Sequence, residues 1–165
     1  MTTMTTTAPA LRILQPSDDV RLERLFYRLS PESVYRRFFT LYTTPPCGVL
    51  RRLTELDHDS RDAMVAVVDD EIVAVARYGA VGPHEAEVAV LVEDAWQGHG
   101  LGPRLLTCIA ALARVHGYTT LTATVLSENR PAIAMLRAVF PDGEWTPDGT
   151  EYAWRVALAP ERKTA

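Results

Sequence analysis

The chain has 165 residues, of which 47% are hydrophobic and 23% charged, and its net charge is −4 at pH 7. This length suits one domain with one substantial core, and an acidic chain offers no electrostatic case for nucleic-acid binding. No apolar run approaches the roughly 20 residues that span a bilayer, and the N-terminus lacks the charged and apolar regions of a signal peptide. We therefore expect a cytoplasmic protein that binds neither nucleic acid nor membrane. Two cysteines and four histidines show no disulfide framework or metal-ligand spacing, so no metal is expected.

The N-terminal third of the chain predicts a leader, a short strand and several helical segments. Residues 1–10 are rich in Thr, Ala and Pro and predict a disordered leader, which residues 11–14 follow as a first strand. A serine or aspartate at 17–18 can cap a helix, and the Ser-Pro pair at 30–31 can start another. Apolar side chains at helical spacing mark segments 20–29, 31–42 and 49–56.

The central part predicts strands. Residues 63–68 and 72–78 are rich in β-branched residues and alanine and flank a polar turn at 69–71, which is typical of a hairpin. After a Gly-Pro turn at 82–83, residues 85–92 alternate as another strand.

The C-terminal part predicts a helix over 103–116, a strand over 119–126 and a helix from Arg130 to about Phe140. A final hairpin should turn at Pro147-Asp148-Gly149. Strands and helices mix without regular βα alternation, which favours an α+β fold with a mostly antiparallel sheet flanked by helices.

A glycine-rich loop follows the strand over 85–92 and opens a helix. Its residues are Gln97, Gly98, His99, Gly100, Leu101 and Gly102. The loop offers backbone N–H groups and the positive end of a helix dipole, so we expect it to bind an anion. The glycine spacing does not fit the dinucleotide motif, and Pro103-Arg104 stands where a P-loop needs Lys-Ser/Thr.

The loop resembles the acyl-CoA signature of the GNAT N-acetyltransferases, Gln/Arg-x-x-Gly-x-Gly/Ala, through Gln97, Gly100 and Gly102. The order of strands and helices around it is also the order that this family uses. Three segments are most similar to the bacterial Pat-type protein-lysine acetyltransferases: SPESVYRRFF (30–39), LTELDHDSRDAMVAV (53–67) and AEVAVLVEDAWQGHGLG (86–102). The resemblance covers roughly residues 11–158, expected to form a single GNAT domain, with 159–165 as a tail.

The resemblance implies the GNAT fold, with six to seven strands and about four helices, and acetyl-CoA as co-substrate. The six loop residues 97–102 would then hold its pyrophosphate. Backbone groups of about Leu91 and Val92 would pair with its pantetheine arm, and Asn129 would contact the same arm. From its own position alone, Asn129 would be a helix N-cap.

Glu87 is the candidate general base, since the family uses a glutamate on this strand and partial burial would suit a proton acceptor. Glu85 is the alternative, because alternate residues of a strand share one face. A solvated surface carboxylate is the structural alternative for Glu87. Many relatives place a tyrosine, as general acid, where this chain has Leu136; water, the thiolate itself or another tyrosine such as Tyr118 could serve instead.

We therefore expect an acetyl-CoA-dependent N-acetyltransferase that acts on a protein lysine by direct transfer. The resemblance implies an acyl-CoA synthetase as the usual protein substrate of the Pat type. Two alternatives stay open: an enzyme that acetylates a small-molecule amine, and a non-catalytic CoA-binding sensor.

Overall fold

The computed structural model describes residues 7–40, 42–45 and 47–160. Within these ranges it contains five α-helices: α1 Asp19–Arg28, α2 Pro31–Phe38, α3 Cys47–Thr54, α4 Leu101–Val115 and α5 Arg130–Val139. The strands are β1 Ala10–Ile13, β2 Arg61–Val68, β3 Glu71–Ala80, β4 Glu85–Val92, β5 Thr120–Leu126, β6 Glu144–Asp148 and β7 Glu151–Ala157. None of these helices is long and apolar enough to cross a membrane.

The seven strands form one sheet in the order β1-β2-β3-β4-β5-β7-β6. Every neighbouring pair is antiparallel except β4 and β5, which run parallel. The α+β expectation with a mostly antiparallel sheet is therefore confirmed.

Helices cover both faces of the sheet. On one face, α4 buries Leu105, Leu106 and Ile109 against strand residues such as Tyr78 and Leu121. On the other face, α1 packs its apolar residues Leu22 and Leu25 against Val65 and Ile72. Because each of the long helices is amphipathic, its apolar stripe determines which face it covers.

The central hairpin forms as predicted. Asp69 and Asp70 occupy the two turn positions with φ values of 47° and 65°. Two consecutive left-handed residues match the right-handed twist of the flanking strands, and aspartate tolerates this conformation better than most side chains do.

Three expectations are corrected in detail. Pro147 lies within β6 and not in the turn, because an edge strand tolerates a residue that lacks a backbone donor. The last turn follows at Gly149. Ala10 already belongs to β1, while residues 1–6 of the expected leader and 161–165 of the expected tail lie outside the described ranges. Asp18 stands at the start of α1, but its carboxylate bonds the Arg12 guanidinium, at 2.7 and 2.8 Å, instead of capping the helix.

Strands β4 and β5 separate shortly after they meet. Their pairing runs only from Glu85 opposite Thr120 to Glu87 opposite Thr122, although β4 continues to Val92. Strand β5 is meanwhile paired with β7 along its whole length, so it cannot follow β4. The result is a cleft in the middle of the sheet.

Candidate active site

The glycine-rich loop joins β4 to α4 at the mouth of this cleft. Gly98 and Gly100 have φ values of 77° and 78°, in the left-handed region that favours glycine. Helix α4 begins at Leu101, two residues before the expected start, with Gly100 as an N-cap that has no side chain to bond the first turn. The N–H groups of Leu101 and Gly102 are thus available in the first turn, whereas Pro103 has none.

The glycines of the loop serve two different purposes. A Cβ at Gly98 or Gly100 would meet no atom of the described residues within 4 Å, so the backbone conformation, and not crowding, is what requires glycine there. A Cβ at Gly102 would lie 2.9 Å from the Met135 sulfur. Gly102 therefore allows α4 and α5 to pack closely.

The cleft encloses about 480 Å³ between β4, the glycine loop and α5. All but one of the expected cofactor-binding residues line it: Leu91, Val92, Gln97, Gly98, Gly100, Leu101, Gly102 and Asn129. His99 does not, since its ring is exposed and packs beside Trp96, with Nδ1 3.0 Å from the Gln97 carbonyl oxygen. Trp96, just before the glycine loop, also lines the cleft.

The backbone of β4 faces two directions in alternation. Glu93 N–H donates to the Val73 carbonyl over 2.8 Å, and Val81 N–H donates to the Glu85 carbonyl over 2.9 Å. Because such pairs recur at every second residue of an antiparallel ladder, the odd-numbered residues of β4 bond to β3. The backbone groups of its even-numbered residues point to the other edge, where no described strand pairs with β4 beyond the short β5 contact.

The backbone groups that face the cleft therefore belong to Val90 and Val92. The expectation for Leu91 is wrong in this respect, because its N–H and C=O groups point toward Val75 of β3. The sequence predicted the correct strand and included Val92, but it named Leu91 where the structure has Val90, because the residues that face the cleft depend on which edge of β4 pairs with β3.

Side-chain hydrogen bonds fix α2 to the loop. The Gln97 amide Nε2 donates to the Val92 carbonyl over 3.1 Å and to the Ser33 hydroxyl over 3.3 Å, and Ser33 donates to Asp94 over 3.1 Å. Asp94 also accepts the Ser30 backbone N–H at 3.0 Å. Burial acts to raise the pKa of Asp94, but these hydrogen bonds outweigh it and the pKa is lowered. The carboxylate form thus stabilises the position of α2.

Asn129 lies where the cleft meets α5. Its side-chain oxygen accepts the Ala132 backbone N–H at 3.3 Å, so Asn129 is the N-cap of α5. It also lines the cleft and the smaller cavity beside it, so its side chain can serve the helix and still face a ligand.

The smaller cavity, of about 180 Å³, lies between the diverging parts of β4 and β5 and contains Glu87. It shares walls with the cleft at Arg36, Arg37, Val90 and Asn129, so the two spaces adjoin. The expected partial burial of Glu87 is wrong: its side chain is exposed.

Glu85 points to the same face of β4 but is held differently. Its carboxylate accepts a hydrogen bond from the Arg155 guanidinium of β7 at 2.7 Å. Within the described ranges, Glu87 has no ion pair. Glu85 also does not line either cavity, so Glu87 is the carboxylate beside the cleft.

Comparison with known proteins identifies the family of the chain. The model of the acetyltransferase (GNAT) family matches residues 23–140, which is more than half of the chain. The chain belongs to the GNAT acetyltransferase family.

Relatives agree with this assignment. An acetyltransferase of Pseudomonas aeruginosa is 29% identical over 154 residues, which span 90% of this chain and 83% of that protein. Acetyltransferase Pat of Mycolicibacterium smegmatis is 32% identical over 125 residues, which span 72% of this chain but 37% of that protein. Among solved structures, the GNAT domain of S. lividans PAT has a TM-score of 0.86 at 30% identity, covering 91% of this chain and 90% of that domain. This GNAT protein is accordingly an N-acetyltransferase with acetyl-CoA as donor.

Among the described residues, no tyrosine takes the place of the general acid that the resemblance implies. Leu136 is buried and lines the smaller cavity. Tyr118, the alternative, is buried against Tyr78 with 5.4 Å between ring centroids and lines neither cavity, so its proposed approach to the site is wrong. Burial raises the pKa of Tyr118, which further disfavours proton exchange.

Several residues of this GNAT site were not anticipated. Ser33, Arg36 and Arg37 of α2 line the cleft, and none of them was among the predicted site residues. The signal was present in the sequence as two consecutive arginines on a helix that starts with Ser-Pro. It was not specific, because helical arginines usually face solvent.

Proposed function

We propose that this enzyme transfers the acetyl group of acetyl-CoA directly to the side-chain amine of a protein lysine, with Glu87 as general base. One observation carries the proposal: the smaller cavity, here called the Glu87 cavity, adjoins the cleft along the glycine loop, here called the donor cleft. The two share the walls formed by Arg37, Val90 and Asn129. A donor in the cleft and an amine beside Glu87 would therefore meet without any rearrangement of the sheet.

The donor half of the site suits an extended, anionic ligand. The open left-handed loop at Gly98 and Gly100 and the uncapped start of α4 would hold the pyrophosphate. The backbone edge at Val90 and Val92, which no described strand covers, would pair with the pantetheine arm as an added strand does. When bound, acetyl-CoA supplies an activated acyl thioester, whose carbonyl oxygen a backbone N–H of this edge can polarise.

The acceptor half needs a group that removes a proton from an ammonium ion. Glu87 is exposed and lacks an ion pair within the described ranges, so its carboxylate is free to accept that proton. Glu85 is a poorer candidate, because Arg155 already holds its carboxylate. Among the described residues no tyrosine lines either cavity. Coenzyme A would therefore leave as the thiolate or take a proton from water.

A protein lysine is favoured as acceptor by the exposure of Glu87 and by the similarity to Pat and to the S. lividans PAT domain. A long lysine side chain can reach an exposed carboxylate from a protein surface, whereas a small amine is usually enclosed. Of the Pat-like segments 30–39 and 53–67, the first contributes Arg36, Arg37 and Phe39 to the Glu87 cavity, and the second contributes no residue. By the same similarity, an acyl-CoA synthetase is a suitable first protein to test.

Acetylation in a cell lysate would test the proposal. The purified enzyme and its Glu87→Gln variant are incubated with acetyl-CoA and a lysate, and acetylated lysines are then mapped by mass spectrometry. We expect a set of lysines that is acetylated by the wild type and not by the variant. Efficient acetylation of a small amine with no such lysines would support the small-molecule alternative. Tight binding of acetyl-CoA without any transfer would support the sensor.

A further inference from the structure

Arg37 lies at the end of α2 in an unusual electrostatic position. It is half-buried and lines both the donor cleft and the Glu87 cavity. No carboxylate of the described residues lies within 4.0 Å of its guanidinium. Its neighbour Arg36 differs, because Arg36 is paired with Glu32 at 2.7 Å.

A second arginine lies next to it on the sheet. Arg77 of β3 stands opposite Ala89 of β4 in the register and shares a small apolar cavity, of about 20 Å³, with Arg37. Arg77 is also half-buried and without an ion pair in the part of the chain that the structure describes. Burial, together with the charge of Arg77, lowers the pKa of Arg37 to about 10, and Glu87 acts in the opposite direction. Arg37 is therefore still a cation at neutral pH.

Two guanidinium groups withdrawn from water next to each other are costly unless an anion compensates them. Glu87 is the carboxylate that lines the Glu87 cavity with Arg37, and a tight ion pair between them would take away the free base. The compensating anion therefore has to come with a ligand. The phosphates of acetyl-CoA would bind at the glycine loop, and its pantetheine arm and acetyl group carry no charge.

We propose that Arg37, whose guanidinium has no carboxylate partner among the described residues, binds a carboxylate that the acceptor carries close to its reacting amine. This inference rests on the proposed function and refines it: the preferred lysines would have an acidic residue next to them. The same chemistry would fit the carboxylate of a free amino acid, and the experiment below separates the two sources.

The test compares two peptides that differ at one position. Both have a blocked N-terminus and a single lysine, followed by Glu in one peptide and by Gln in the other. We expect kcat/KM for the Glu peptide to exceed that for the Gln peptide by about 10- to 100-fold, the range for a hydrogen bond between charged groups. Arg37→Met should remove this preference, and the matched variant Arg36→Met should keep it, whatever it does to turnover. Free glutamate and succinyl-CoA serve as further substrates.

Each outcome decides the inference. Equal rates on the two peptides, or a preference that survives Arg37→Met, would overturn it. A raised KM for acetyl-CoA with an unchanged peptide preference would also overturn it and assign Arg37 to the donor cleft. A preference for succinyl-CoA that Arg37→Met abolishes would overturn it by placing the carboxylate on the acyl group.

Failure of the proposed function looks different. Acetylation of free glutamate that depends on Arg37, with no peptide acetylated, would keep the carboxylate site and refute the protein-lysine acceptor. Thermal unfolding checks that Arg37→Met folds. Should it not fold, Arg37→Lys keeps the charge but loses the two-pronged geometry, and an undiminished preference in that variant would overturn the inference.

Discussion

Arg155 of β7 holds the Glu85 carboxylate of β4 at 2.7 Å, across the only strand that separates them in the sheet. Of the two glutamates of β4, Glu85 is thus held in an ion pair, and Glu87 is the one that is free to act as a base. The distinction could not be drawn from sequence, because the two glutamates are two residues apart and have the same parity. It makes the assignment of the base testable.

Glu87→Gln preserves the shape of the side chain but cannot accept a proton. We expect kcat to fall by roughly 10²–10⁴-fold, with acetyl-CoA affinity nearly unchanged. The defect should diminish at high pH, because a free lysine loses its own proton near a pKa of about 10.4. Steady-state kinetics across pH, with calorimetry for the donor, would measure both effects.

Glu85→Gln is the control, and it should reduce turnover far less, since it breaks only a half-exposed ion pair. If Glu85→Gln reduced turnover more than Glu87→Gln does, the base would be Glu85, two residues earlier on β4.

Gly100→Val should weaken acetyl-CoA binding by roughly tenfold or more, because the backbone at φ 78° disfavours any Cβ and the loop must change shape. Gly149→Val is a matched control: Gly149 has φ 62° and open space around its Cβ, but it lies in the β6–β7 turn, away from the cleft. Both variants should lose about 1–2 kcal/mol of stability through left-handed strain. Only Gly100→Val should change the dissociation constant in calorimetry; equal affinities would remove the loop from the donor site.

Local signals explain what sequence could predict. The glycines of the loop, the alternating strand before it and the amphipathic helix after it lie within one short segment. Residues 85–116 alone were therefore enough to predict all three. The cap at Asn129 was recognisable for the same reason.

Features that depend on distant partners could not be predicted. The backbone of Val90, and not that of Leu91, faces the cleft because β3 occupies the other edge. Asp18 bonds Arg12 across a strand-to-helix turn instead of capping its own helix. Arg37 reaches the donor cleft and the Glu87 cavity from α2, a helix that Asp94 and Gln97 hold against the loop.

Asp94→Ala would test this last dependence. It removes the acceptor for Ser30 and Ser33, so α2 should lose its fixed position beside the loop. We expect KM for acetyl-CoA to rise several-fold, with a stability loss of about 1 kcal/mol, since Asp94 is exposed and its hydrogen bonds are screened by water. Asp142→Ala, in an exposed turn before β6, is the control and should change neither quantity. An unaltered KM in Asp94→Ala would show that α2 keeps its place without this carboxylate.

Asp18 gives a prediction for stability as a function of pH. Its buried carboxylate accepts two hydrogen bonds from Arg12, one from the Gln15 backbone and a longer one, at 3.4 Å, from Arg21, and the Arg12 guanidinium is the main cause that lowers its pKa. A carboxyl group with a lowered pKa in the folded state stabilises the fold above its unfolded pKa, and this contribution disappears as pH falls through the folded value. At neutral pH, Asp18→Asn should therefore cost about 3 kcal/mol of unfolding free energy, the lower end for a broken buried pair, because Arg12 is partly exposed.

The difference between wild type and Asp18→Asn should then shrink as pH falls from about 5 toward 2, because both proteins carry a neutral group at this position once the carboxylate is protonated. Urea denaturation at several pH values would measure it. Asp19→Asn, one residue along and exposed, should differ from wild type by no more than about 0.5 kcal/mol at each pH. A constant difference for Asp18→Asn across this range would mean that its cost arises from packing, and that the carboxylate charge contributes nothing to the junction of β1 and α1.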